Sequence, residues 1–311
     1  MSTDPGQHPV LVVGEALVDI VDHDGSVTEH VGGSPANVAM GLARLDHATD
    51  LAACVGDDER GGRVAEHLAG HGVRLTAGSR RPGRTSTAQA SVGADGAASY
   101  TFDLDWTPDL QPVLAEPTRY AHVHTGSLAT ALPPGAATVL DALAAVREHA
   151  TVSYDPNIRP SLVDPAGALA AVEGVVALSD VVKASDEDVD HLYPGVDLTK
   201  VSQRWIELGA HLVVITEGAK GVRWATRSGA TGSAPTRATS VADTVGAGDS
   251  FMAGLLSGLL DAGLLGSDGS REQLATAGDA EITPAIERGL ATSGITVGHP
   301  GAYSPTRSEL P

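Results

Sequence analysis

The chain has 311 residues, 39 acidic against 20 basic, and a formal net charge of −19. With only Lys183, Lys200 and Lys220 as lysines and Arg80-Arg81-Pro-Gly-Arg84 as its densest basic stretch, it argues against a nucleic-acid partner, which needs clustered cations. No run of about 18 apolar residues occurs, so no membrane span is expected, and a polyphosphate ligand would have to rely on backbone N–H groups, a few arginines and a divalent metal.

The length suits a single domain over 1–311 with a sizeable core. The first residues, Met1 to His8, lack the charged and apolar regions of a signal peptide. The lone Cys54 precludes an intramolecular disulfide and favours a reducing compartment, so the expected location is cytoplasmic.

Taken in chain order, Val10–Val13 reads as a strand, followed by alternating residues over 16–31 around the turn pair Asp24-Gly25. Gly32-Gly33-Ser34-Pro35-Ala36-Asn37 then opens a helix over Ala36–Leu45. This segment reads as a tight turn with a capped helix, or as a place where two glycines admit a ligand and Asn37 offers a polyol both donor and acceptor. A strand over Leu51–Val55 and a helix over Arg60–His71 complete a first βαβ unit. Residues 85–105 alternate again around Ala94-Asp95-Gly96. The two hairpins could form a small sheet outside the main body, a lid beside the site and a surface for a homodimer.

From residue 120 the rhythm is regular. Strands are expected at Ala121–His124, Val152–Tyr154, Val181–Lys183 and Leu212–Thr216, and helices at Gly135–His149, Ala166–Leu178, Asp186–Leu192 and Leu198–Leu208. Such alternation predicts an α/β fold with a mostly parallel sheet and helices on both faces. Ligands of such sheets bind beyond the carboxyl ends of the strands. The polar words Gly126-Ser127, Asp155-Pro-Asn157-Ile-Arg159, Ser185-Asp-Glu-Asp188 and Thr216-Glu-Gly218 all fall there. His122 and His124 alternate on one strand without a partner at metal-ligand spacing and read as core or surface histidines.

The most informative stretch is Asp243-Thr-Val-Gly246-Ala247-Gly248-Asp249-Ser-Phe, leading into the apolar Met252–Leu265. Gly246, Ala247 and Gly248 put backbone N–H groups without bulky side chains at a helix start, which favours an anion. Asp249 in the same turn would either complement the helix dipole or take a proton from a hydroxyl attacking a bound phosphate. Neither G-x-x-x-x-G-K-[ST] nor a G-x-G-x-x-G after the first strand is present, which counts against a P-loop ATPase and a Rossmann dehydrogenase.

Gly32-Gly33-Ser-Pro-Ala-Asn37-Val-Ala and Asp243-Thr-Val-Gly-Ala-Gly-Asp249-Ser-Phe-Met-Ala-Gly resemble the two signatures of the ribokinase-like, or PfkB, sugar kinase family, in order and some 200 residues apart. The resemblance spans Val10 to about Thr306. It implies a ribokinase-like fold and ATP-dependent phosphorylation of a sugar hydroxyl, with Asp249 as base and Gly246–Gly248 as anion hole. It implies further that Asp19, Gly33 and Asn37 bind the sugar. Asp155-x-Asn157-x-Arg159 is similar to a motif of fructokinases and ketodeoxygluconate kinases, which implies substrate or phosphate contacts for Asn157 and Arg159. Ser185 and Asp188 stand where the family has Asn and Glu organising Mg²⁺, a departure that puts their direct roles in question. Thr216 and Gly218 would line the nucleotide pocket. Asp243 and Val245, with Thr296, His299 and Gly301, resemble the family's monovalent-cation site, which would take K⁺. Ser34-Pro35 replaces the Lys-Gly typical of ribokinases, and Gly14-Glu-Ala-Leu-Val-Asp19 looks most like fructokinases. Fructose is therefore the expected substrate, with ketodeoxygluconate and then a nucleoside as alternatives, and a non-catalytic sugar or nucleotide sensor as a different class.

Overall fold

The computed structural model describes residues 8–23, 26–92, 98–163 and 165–311. Among them a nine-stranded sheet runs, edge to edge, through Thr231–Ala234, Val222–Thr226, Leu212–Thr216, Val181–Ser185, Thr151–Asp155, His122–Gly126, Val10–Val13, Thr49–Ala52 and Val73–Leu75. The seven strands from Leu212–Thr216 onward pair in parallel, and the first two close that edge antiparallel. Parallel strands are covered on both faces and so read as continuous apolar runs. Successive residues supply two cores. Val10, Val12, Val181, Leu212 and Val214 face one side, and Leu11, Val13, Val182, Val213 and Ile215 the other.

The first core packs beneath three helices, Ser34–Arg44, Ala247–Asp261 and Asp279–Thr296. The last two approach unusually closely because small residues face each other. A Cβ on Gly254 would sit 2.9 Å from Gly289 Cα, and one on Gly258 would sit 2.5 Å from Ala285 Cα. The Thr292 hydroxyl lies 2.8 Å from Ser250 O, adding a polar tie. On the opposite face Gly135–Val146, Pro165–Val176 and Leu198–Leu208 cover the second core.

Most expected elements are present with edges moved by a few residues. The Leu51–Val55 strand is instead Thr49–Ala52 in the main sheet, while Val55–Gly56 pairs separately with Arg80–Arg81. The helix expected from Ala36 begins at Ser34, with Pro35 in its first turn, where its fixed φ and missing N–H cost nothing. Sequence reading missed the hairpin Val222–Thr226/Thr231–Ala234 and the helix Asp279–Thr296. That helix contains Pro284, Gly289 and Gly294, which obscure its periodicity.

A separate four-stranded sheet has the order Ser26–Gly32, Leu17–His23, Thr87–Val92, Ala98–Asp103. Its two outer pairings are antiparallel and its central one parallel. Its arms are those read as hairpins; the turn words Asp24-Gly25 and Ala94-Asp95-Gly96 lie outside the described residues. His122 and His124 are buried core residues. His122 bonds Thr151 Oγ1 at 2.8 Å and Ser153 Oγ at 2.9 Å, and His124 bonds Ser153 Oγ at 3.0 Å. Burial pulls their pKa values down to about 4 and about 3, so both rings are neutral at physiological pH.

From the first strand the chain moves to one edge, then returns and builds toward the other, so the order reverses between Val10–Val13 and His122–Gly126. At such a switch the loops leaving adjacent strands diverge and open a crevice. Gly14-Glu15 and Gly126-Ser127 leave the sheet there.

The tight helix pairing predicts opposite outcomes for two glycines. Gly258→Val should lose about 1–3 kcal/mol by overpacking against Ala285. Gly174→Ala, at an exposed helical position with nothing within 4 Å of the new methyl, should gain about 0.4–1 kcal/mol. Urea denaturation of both variants checks the pair.

Candidate active site

Asp249 lies in the first turn of the helix Ala247–Asp261, at 8 % exposure. Gly246 precedes the helix in left-handed backbone, φ 74°, and a side chain there would strike Ala302, 2.6 Å from its Cβ. The Ala247 N–H donates to Thr244 O at 3.2 Å, and the helical ladder starts with Ser250 N–H to Gly246 O at 2.8 Å. The N–H groups of Gly248 and Asp249 precede that ladder, as the first-turn donors of any helix do.

A second helix start meets the first. Ser34 Oγ donates to Asp249 Oδ1 at 2.7 Å, and Asn37 Nδ2 donates to Asp249 Oδ2 at 2.8 Å. One carboxylate thus joins the two motifs separated by some 200 residues, at the positive ends of two helices. Each oxygen keeps a lone pair for a further donor. The preceding turn is possible only with glycine. Gly33 has φ 108°, and a Cβ there would lie 2.5 Å from Glu15 O; one on Gly32 would collide with the Asp19 carboxylate.

Around this point, among the described residues, Asn37 Oδ1 and Asp155 Oδ1 are buried without a hydrogen-bond partner, and the Glu15 and Ser127 side chains face each other. Buried polar atoms are rarely left so, and a cluster of such oxygens, from strand ends and from the Ser34–Arg44 helix start, is what a hydroxyl-rich ligand would satisfy. Burial pushes the Glu15 pKa up to about 7 and raises that of Asp19, while Arg159 opposes both shifts. Arg159 is thus near enough to act on both acids, and it lines the cleft together with Asp249. Asn157 adopts left-handed backbone, φ 38°, and its Oδ1 accepts from Arg159 Nη1 at 2.5 Å.

On the other side of Asp249 opens a cleft of about 650 Å³, lined among others by Lys183, Ser185, Thr216, Gly218 and the 246–249 turn. That volume suits a small organic ligand. The structure thus brings Asp249, Gly246–Gly248, Asn157, Arg159, Ser185, Thr216 and Gly218 to one opening, with Asn37 bonded to Asp249 beneath. Asp188 is engaged otherwise: Oδ1 accepts from Ile158 N–H at 2.7 Å, and Oδ2 from Ser185 N–H and Oγ at 3.0 and 2.7 Å. Ser185 and Asp188 form a capping box on Asp186–Leu192.

The expected cation residues are only partly gathered. Asp243 accepts from Val245 N–H at 3.0 Å and Gly301 N–H at 2.8 Å, clamping the two loops behind Gly246. Thr296 Oγ1 lies 2.7 Å from Ser250 Oγ and 2.8 Å from Tyr303 O. The Val245 side chain is exposed, and the exposed His299 ring stacks on Tyr303 at 4.1 Å. Sequence reading gave no role to Glu15, Lys183 or the Ser34 hydroxyl. A lysine in the otherwise apolar Val-Val-Lys-Ala was the one available signal, since a charge there must find a buried partner.

Glu15 yields a pH prediction. Its folded pKa of about 7 exceeds the ordinary 4.5, so the unfolded chain sheds this proton first. Its contribution to stability is full below the unfolded value and is lost as pH rises through the folded one. Glu15→Gln lacks this dependence. Its melting temperature relative to wild type should rise between pH 4.5 and about pH 7 and level off above. A constant difference across that range in thermal scans would contradict the assigned burial.

A family model described as pfkB family carbohydrate kinase matches residues 7–309. A fructokinase from Klebsiella pneumoniae is 34% identical over 267 residues, covering 82% of this chain and 85% of that protein. Among solved structures, fructokinase from Xylella fastidiosa with bound ATP superposes with TM-score 0.82 at 26% identity, over 97% of each chain. A double mutant of fructokinase from Vibrio cholerae, in a form with fructose, ADP and potassium ion bound, gives TM-score 0.79 at 28% identity, again over 97% of each.

Proposed function

The chain belongs to the pfkB family of carbohydrate kinases, an ATP-dependent sugar phosphotransferase, and from that premise we propose that its substrate is D-fructose and that Asp249 is the general base. Family membership speaks for an enzyme over a non-catalytic sensor. The observation that carries the proposed chemistry is the position of the Asp249 carboxylate. It stands between a hollow of unpartnered oxygens and a helix N-terminus that favours an anion.

In this reading the sugar sits over Glu15, Asp19, Gly33, Asn37, Asn157 and Arg159. The attacking hydroxyl donates to the free lone pair of Asp249 and loses its proton there as its oxygen bonds to the γ-phosphorus. The N–H groups of Gly248 and Asp249, which precede the helical ladder, hold the phosphoryl oxygens where the 246–248 turn faces the cleft. ATP lies along the cleft past Ser185, Thr216 and Gly218. Mg²⁺ enters with ATP as part of the substrate. Since both Asp188 oxygens are already engaged, Asp188 orders the loop, and Asp186 and Glu187 on the cleft wall would supply the negative charge that helps hold the metal. The small sheet carrying Asp19 serves as the lid and as the face for a homodimer, and the enzyme works in the cytoplasm. Fructose is preferred on the strength of the fructokinase relatives and of the Gly14–Asp19 word that looks most like theirs.

The test is ATP turnover against a panel of fructose, ribose, ketodeoxygluconate and adenosine, for wild type and Asp249→Asn. Fructose should give the highest kcat/KM, and the variant should lose about 10²–10⁴-fold in kcat with nucleotide binding retained. A variant turning over near the wild-type rate would remove Asp249 as base. A higher kcat/KM for ketodeoxygluconate would reassign Arg159 to a substrate carboxylate.

A monovalent cation behind the cradle is supported by the Asp243 clamp on Val245 and Gly301 next to Gly246. Turnover should accordingly be faster in potassium than in tetramethylammonium buffer at fixed Mg²⁺ and ionic strength. Equal rates would argue against such a site.

A further inference from the structure

The two helices that meet at Asp249 are also tied together at their far ends. Between the ends they pack so closely that a Cβ on Gly41 would lie 2.5 Å from Ala253 Cβ. The helix Ser34–Arg44 closes at Leu45, whose carbonyl accepts from Arg307 Nε at 3.0 Å and Nη2 at 2.6 Å. The last carbonyls of a helix lack partners within it, and a cation there suits the dipole. The same guanidinium donates through Nη1 to Asp261 Oδ2 at 2.7 Å, on the last residue of the helix Ala247–Asp261. Asp261 also accepts from Arg288 Nη1 at 2.6 Å, so the helix Asp279–Thr296 joins the knot.

From Arg307 the chain can be followed back to the anion cradle. Glu309 accepts from Thr306 N–H at 2.7 Å and Tyr303 Oη at 2.6 Å, and lies 3.8 Å from the Arg44 guanidinium. Tyr303 O accepts from Thr296 Oγ1 at 2.8 Å. Ala302 fills the space that forbids a side chain on Gly246, and Gly301 N–H reaches Asp243 at 2.8 Å. Residues 301–309 thus form a strap. One end lies on the Gly246 turn and the other on two helix C-termini, about 20 Å away by the rise of a 15-residue helix.

Stability is a weak reason for such a clasp, since exposed ion pairs add little and Arg307 is 39 % exposed. A planar fork engaged with one carbonyl and one carboxylate instead fixes direction. What it fixes is how the two helices lie against each other. Close-packed interiors transmit displacement, so a slip at the far ends moves the starts where Ser34 and Asn37 meet Asp249, and moves Ala302 under Gly246.

We propose that Arg307 is a positioning residue for phosphoryl transfer, which through the 301–309 strap holds the Gly246–Asp249 turn in register with the helix Ser34–Arg44. This rests on the kinase reading above. Arg307 does not line the cleft and acts only through the strap and the helices.

The experiment compares Arg307→Met with Arg204→Met. Arg204 makes a two-pronged bond to Glu173 among the helices of the opposite sheet face, with no link to the strap. Readouts are melting temperature, kinetics with fructose and ATP, and hydrogen exchange in the ligand-free protein. In Arg307→Met kcat should fall about 10–10²-fold, the order of cost of a misplacement near 1 Å, while the KM for fructose holds because Asp19 and Arg159 are untouched. The Ala247 and Ser250 amides, which close the turn on Thr244 and Gly246, should exchange about tenfold faster, with the strand Thr151–Asp155 unchanged. Arg204→Met should melt lower without either effect. If Arg307→Met does not fold, Glu309→Ala, which frees the strap from Tyr303 and Arg44, carries the same readouts. A folded strap variant that only melts lower, with kcat and turn exchange at wild-type values, overturns the proposal, and so does an equal loss of kcat in Arg204→Met. Wild type inactive on every sugar would instead sink the kinase reading, and exchange at the turn would still decide whether Arg307 holds it.

Discussion

The start of the helix Ala247–Asp261 can serve as an anion site only if it cannot move, and the packing of that helix is the constraint on which the site depends. Gly254 and Gly258 let it sink against Asp279–Thr296 until main chain nearly touches main chain. Eleven of its residues, Asp249 to Leu259, are buried. A helix held along its length presents its first N–H groups at a fixed place, so the donors are oriented before any phosphate arrives. The Asp249 bonds to Ser34 and Asn37 extend that rigidity to the second helix start, so the two helix starts share one frame.

The switch in strand order adds the other half of the geometry. Because the chain builds outward in both directions from Val10–Val13, the loops after that strand and after His122–Gly126 part and leave room between them. Glu15 and Ser127 stand at the lips of that opening, and the glycine turn at 32–33 lets the Asp19 hairpin and the Ser34 helix approach its floor. A side chain at either glycine would block the approach.

How much of this was legible in the sequence depends on whether the determinant was local. The Asp243–Asp249 word could be read because a side-chain-free turn running into an apolar helix has few other physical meanings. Gly32–Asn37 could be read because two glycines before a helix imply close approach. Strand–helix alternation after residue 120 fixed the layer order. What could not be read were pairings across the sheet. Lys183 meets Asp155 because two parallel strands lie side by side in a register set by the whole fold. Glu15, in a loop word, gave no sign that the fold would bury it. Asp188 looked like a weakened metal ligand, and only the path of residues 157–159 shows its oxygens already taken. The hairpin at 222–234 escaped notice because an arm such as Thr231-Gly-Ser-Ala carries almost no apolar alternation.

The hydrogen bonds from Ser34 and Asn37 to Asp249 bear on fidelity toward the acceptor. A carboxylate open on every side beside a bound nucleoside triphosphate could act as general base for any small hydroxylic molecule that diffused in, and water is always the most abundant. Here each oxygen already accepts one hydrogen bond and the group is 8 % exposed, which leaves a lone solvent molecule few directions of approach. An alcohol with several hydroxyls can satisfy the orphaned oxygens around it in one step and so compete for the remaining lone pair, which water cannot do as a single body. In the role proposed for Asp249, the same two bonds that fix the acid would thus discourage futile hydrolysis of the nucleotide when no acceptor is present.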